Sequence, residues 1–155
     1  MNHTKTKKIA TILNIILKVA MILGILTLLG LWKILELLGI KFNTLVFLLY
    51  PIGILFIGII YVFIRLFNQL KKETPFSKNT VKYLRIGMWL CAIISVLVLV
   101  ALLLSIFIYV TYTLTLKISL TFFFILFVGV AIALYLLSEL FKQATIYKEE
   151  NDLTI

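Results

Sequence analysis

Two groups of ionisable side chains in this 155-residue chain have the spacing to bind something. The first is basic. Arg65, Lys71, Lys72, Lys78, Lys82 and Arg85 lie close together, with Glu73 the lone acid among them. Such a cluster attracts anionic lipid headgroups. The second is acidic. Glu149, Glu150 and Asp152 crowd into four positions, and the apolar Leu153 and Ile155 follow. That pattern suits a basic protein surface, where charge sets the encounter rate and a small apolar anchor slows dissociation. Covalent chemistry has less to work with. The chain has one histidine, His3, and one cysteine, Cys91, so neither an internal disulfide nor a His/Cys metal site is expected. Paired carboxylates, a nucleophile beside a base and a phosphate-binding glycine loop are all missing from the sequence. The expectation is a protein that is not an enzyme, with no catalytic residue, cofactor or metal.

The elements that must hold these groups are apolar. The chain is 63% hydrophobic, against about 45–50% for a soluble domain. The excess is gathered into long unbroken runs, which is the pattern of transmembrane helices. Spans are expected at about 9–32, 44–64, 86–109 and 118–138, with a polar hairpin at 65–85 and a tail at 139–155. The fold class is then all-α: a single integral membrane domain, built as a bundle of four transmembrane helices. The basic start of the first run resembles a signal peptide. The run is too long for one and no small-residue cleavage site follows, so it reads as a retained span.

Local signals refine this. Lys18 interrupts the first span. Either it snorkels to the headgroups, which its place in the first half of the run favours, or it is a working intramembrane charge. Pro51 falls inside the second span, where neighbouring helices can satisfy the carbonyl it frees. Thr74-Pro75 ends that helix, and Ser77 is placed to cap the next, with Thr80 standing where a capping box has Glu or Gln. Small residues four apart occur at Ala20/Gly24, Ala101/Ser105 and Gly129/Ala133, a weak sign of close helix approach. Beyond the last span, Leu137, Leu140, Phe141 and Ala144 predict an amphipathic extension.

Charge sets the orientation. The amino-terminal arm, the hairpin and the tail hold eleven Lys and Arg residues, and the two opposite loops hold Lys33, Lys41 and Lys117. The positive-inside rule puts both termini and the hairpin in the cytoplasm. For a bacterial chain that means the inner, or plasma, membrane.

Two stretches carry a resemblance. One is the central segment, with Pro75-Phe76-Ser77 followed by Leu84-Arg85. The other is the ending, Glu150-Asn151-Asp152-Leu153-Thr154-Ile155. Together they resemble an uncharacterised bacterial four-span membrane family, domain of unknown function 2975, over nearly the whole chain. The family has no assigned activity, so the resemblance implies no catalytic residue. It does imply a context, since such proteins are often encoded beside a small helix-turn-helix regulator.

Three readings of function follow. In the first, the protein is a regulatory or interaction protein that recruits or sequesters a cytoplasmic partner such as a helix-turn-helix regulator, through Glu149, Glu150, Asp152, Leu153 and Ile155. In the second it is a small transporter or channel subunit. That reading is weakened because every carboxylate lies at or outside a span end, Glu139 being the closest. In the third it is a structural protein whose basic hairpin (Lys71, Lys72, Lys78, Lys82, Arg85) binds anionic lipid. The bland alternative is that hairpin and tail merely neutralise one another. The lipid bilayer is a partner in all three, and no direct contact with nucleic acid is expected. The sequence gives no oligomeric state.

Overall fold

An apolar run of about 20 residues crosses a hydrocarbon core about 30 Å thick. Four such runs become helices. A computed structural model of the chain describes residues 3–37, 44–71, 77–107 and 114–153. The helices are α1 (His3–Leu37), α2 (Thr44–Lys71), α3 (Lys78–Phe107) and α4 (Leu114–Leu153). The described residues contain no strand. Each helix holds a stretch long and apolar enough to cross a membrane, so the protein is an all-α, multi-pass membrane protein. α2 runs unbroken through Pro51. At 1.5 Å per residue the 40 residues of α4 span about 60 Å. That is about twice the hydrocarbon thickness, so α4 extends well beyond its membrane-crossing part.

The four helices stand side by side in chain order. α1 packs on α2, α2 on α3 and α3 on α4, and among the described residues no other pair of helices meets. The bundle is therefore an open row with α3 buried deepest. The seams follow alternating steps of three and four, the spacing at which two helices stay in contact along their length. On α3 the seam is Thr80, Leu84, Gly87, Cys91, Ile94, Val98, Ala101 and Ser105, all buried. On α4 it is Phe124, Phe127, Ala131, Leu134, Ser138, Phe141 and Thr145. On α1 it is Ala10, Asn14, Leu17, Met21, Gly24 and Leu28, facing α2 alone. Gly87 lies where three helices converge. A Cβ there would stand 3.3 Å from both Leu134 of α4 and Val62 of α2. Side chains off the seams point outward, among them Ile12, Ile15 and Leu26 on α1 and Phe122, Ile125 and Ile132 on α4. So much exposed apolar surface is stable only against lipid.

Hydroxyls inside the spans are met by their own helices. Thr27, Thr121, Ser95 and Ser105 each donate to a carbonyl three or four residues back, at 2.7–2.9 Å. This keeps them satisfied where no water competes. Ser138, enclosed between α3 and α4, has no such partner among the described residues. The small-residue pairs divide. Ala101 and Ser105 are buried, whereas Ala133 is exposed and a Cβ at Gly129 would meet nothing within 4 Å.

Candidate functional site at the polar end of the bundle

Antiparallel packing brings the start of α1, the end of α2, the start of α3 and the extension of α4 to one end of the molecule. Polar groups tie α1 to α2 and α3 to α4 there. Asn14, 1% exposed, donates from Nδ2 to the Ile64 carbonyl at 3.2 Å and to Asn68 Oδ1 at 2.9 Å, joining α1 to α2. A buried amide is costly unless paired, so these bonds fix the register of the two helices. On α2, Arg65 donates from Nε to the Tyr61 hydroxyl at 2.7 Å, with its guanidinium 5.0 Å from the centre of that ring. Both side chains are exposed.

The start of α3 is capped as the sequence predicts. The Thr80 amide donates to Ser77 Oγ at 3.3 Å. Thr80 has no carboxylate to reach back with. Its hydroxyl instead bonds the Ser77 hydroxyl at 3.0 Å. The cap turns the first two turns of α3, Lys78 to Arg85, against the extension of α4. The extension is helical through Leu153, continuous with the membrane-crossing part.

Two ion pairs join α3 to that extension. Arg85 Nη2 meets Glu139 Oε1 at 2.9 Å, and Lys142 approaches the other oxygen of the same carboxylate at 3.8 Å. Two turns further out, Lys78 Nζ meets Glu149 Oε1 at 3.0 Å. Arg65, Arg85, Glu139 and Lys142 form a charged collar where the apolar runs of α2, α3 and α4 end. From Arg85 and Lys142 of the collar outward runs a groove of about 280 Å³, lined also by Lys78, Val81, Thr145, Ile146 and Glu149.

The structure unites part of the basic hairpin with part of the acidic tail. Lys78 and Arg85 face α4, while Lys82 is exposed and outside the groove. Glu149 is held by Lys78, and Glu150 is exposed on the same stem. Lys72 and Ile155 lie outside the described residues, as do the side chains of Lys71, Asp152 and Leu153. The amphipathic extension needs a correction. Leu137 and Leu140 are exposed, and the face on α3 is Ser138, Phe141 and Thr145, with Ala144 half-buried beside it. The seam continues the membrane register of Leu134, so Ser138, Phe141 and Thr145 take the inner face.

Sequence reasoning did not single out Asn14, Glu139 or Lys142 as site residues. A signal existed for Glu139: it follows the apolar run of α4 as Arg85 precedes that of α3, so antiparallel packing sets the two opposite. Lys18 is exposed, four residues inward of Asn14. That is about 6 Å of helix rise, within reach of the collar for a lysine side chain.

An open row of membrane-crossing helices with a charged collar and a protruding stem defines a multi-pass membrane protein with one polar working end. The chain belongs to the family described as protein of unknown function (DUF2975), which matches residues 2–155. No curated protein and no solved structure matches it.

Proposed function

We propose that the protein is a non-enzymatic interaction protein of a bacterial inner membrane, and that its α4 stem presents acidic side chains to a basic cytoplasmic partner such as a helix-turn-helix regulator. One observation carries this reading: α4 is a single helix from Leu114 to Leu153, so the carboxylates of Glu149 and Glu150 ride on a rod anchored in the membrane. The Lys78–Glu149 pair is no obstacle. Its side chains are 81% and 51% exposed, and exposed pairs contribute only about 0–1 kcal/mol. A partner that offers its own cations can displace Lys78. In the sequence Asp152 supplies a third acid, and Leu153 and Ile155 supply the apolar residues that follow.

The test is recovery of cytoplasmic protein from membranes carrying the wild type or the triple variant E149K/E150K/D152K. The wild type should retain a basic partner that high salt releases, and the variant should lose it while inserting normally. Equal recovery by both would reduce the tail to a solvated end that balances the hairpin.

A further inference from the structure

We infer that the groove between the start of α3 and the stem of α4 is a binding site for the phosphodiester headgroup of an anionic phospholipid. The proposal rests on this end of the molecule facing the cytoplasmic leaflet, and it does not require the tail to have a protein partner.

Position is the first argument. Arg85 stands directly before the apolar run that begins at Ile86, and Glu139 directly after the one that ends at Ser138. Their 2.9 Å pair therefore marks the edge of the hydrocarbon. Trp89, exposed one turn inward, occupies the depth at which indole rings collect in bilayers. The groove opens outward from Arg85 to Lys78, two helical turns or about 10 Å. It thus covers the headgroup layer.

Charge is the second argument. Three cations line the groove: Lys78, Arg85 and Lys142. Among the described residues, two carboxylates pair with them, Glu149 in the lining and Glu139 beside it. Glu149 is engaged with Lys78, and Glu139 is shared between Arg85 and Lys142. Among the described residues that line the groove, cations therefore outnumber carboxylates, and the excess lies with Arg85 and Lys142. The 3.8 Å approach of Lys142 to Glu139 is the loosest of the three contacts. A phosphodiester carries a single negative charge and matches that excess. The walls fit an amphiphile as well, since Val81 and Ile146 are apolar and flank the cations. The negative surface potential of a cytoplasmic leaflet would add attraction for all three.

The test uses the full chain in nanodiscs of phosphatidylcholine with or without phosphatidylglycerol, followed by native mass spectrometry of retained lipid. The wild type should keep phosphatidylglycerol over phosphatidylcholine. Lys142→Gln should reduce retention about fivefold, the effect of one cation near the surface. Glu149→Gln should increase retention, because it removes a competing anion from the groove. Loss of structure cannot produce that opposite pair of signs. Lys117→Gln, at the far end of α4, should change nothing. The proposal is overturned if Lys142→Gln retains lipid at the wild-type level, or if Glu149→Gln weakens retention. It is overturned equally if millimolar inorganic phosphate displaces the lipid, which would make the site one for the free anion.

Discussion

Breaking the two ion pairs between α3 and the stem one at a time should loosen the stem by different amounts. Glu149→Gln removes a pair whose partners are 81% and 51% exposed. Such a pair is worth about 0.2–1 kcal/mol, at most a factor of about five in a local opening equilibrium. Glu139→Gln removes a 2.9 Å charge-assisted bond whose partners are 48% and 34% exposed, at the edge of the low-dielectric layer. Bonds to charged groups are worth about 1.5–3 kcal/mol, and partial exposure puts this one at the lower end, roughly tenfold. Hydrogen exchange of the backbone amides from Glu139 to Leu153 reads this directly, because it reports local opening. Glu149→Gln should speed exchange up to about fivefold and only in the last turns. Glu139→Gln should speed it about tenfold along the whole stem. Raising salt should mimic the first variant and barely touch the second. The charge swap K78E/E149K should restore wild-type exchange. A larger effect from Glu149→Gln than from Glu139→Gln, or a swap that restores nothing, would refute the reasoning.

Other perturbations probe the rest of the row. Asn14→Leu should destabilise the α1–α2 contact by about 1–3 kcal/mol, since two bonds go and Asn68 loses its donor. A double-mutant cycle with Asn68→Leu, followed by unfolding in denaturing detergent, should show coupling of at least about 0.5 kcal/mol, and strict additivity would count against the bond. Ser138→Ala should be neutral or stabilising in the same assay, because it removes an enclosed hydroxyl with no partner among the described residues. Lys18→Leu should leave insertion and partner recovery intact, as a snorkelling lysine requires. Loss of recovery at normal insertion would instead mark Lys18 as a working charge.

Fold and site were legible in the sequence to different degrees, for physical reasons. Apolar runs the length of a bilayer have no competing reading, so four helices follow from composition alone. The Ser77 cap was also legible, because capping depends on residues within one turn. Helix seams were not. In a soluble helix apolar residues mark the buried face, but here nearly every position is apolar and the contrast vanishes. Small and polar residues mark the seams instead: Asn14 and Gly24 on α1, and Gly87, Cys91, Ala101 and Ser105 on α3. The same loss of contrast made Leu137 and Leu140 look like the packing face of the stem when they point outward. Gly129 and Ala133 show that four-residue spacing alone does not locate a contact. For the charged groove, the sequence supplied the cations and acids, but their pairing depends on the α3–α4 register. Lys78 with Glu149 and Arg85 with Glu139 are separated by 71 and 54 residues along the chain.

Partner docking at the stem and lipid binding in the groove both require that end of the molecule to lie in the cytoplasm. The direct measurement is a pair of fusions to a reporter active only in the cytoplasm, one after Ile155 and one after Thr115 in the first turn of α4. The reporter after Ile155 should be active and the one after Thr115 silent. The reverse pattern would put the acidic tail and the basic hairpin outside the cytoplasm, where neither a cytoplasmic partner nor the cytoplasmic leaflet could reach them.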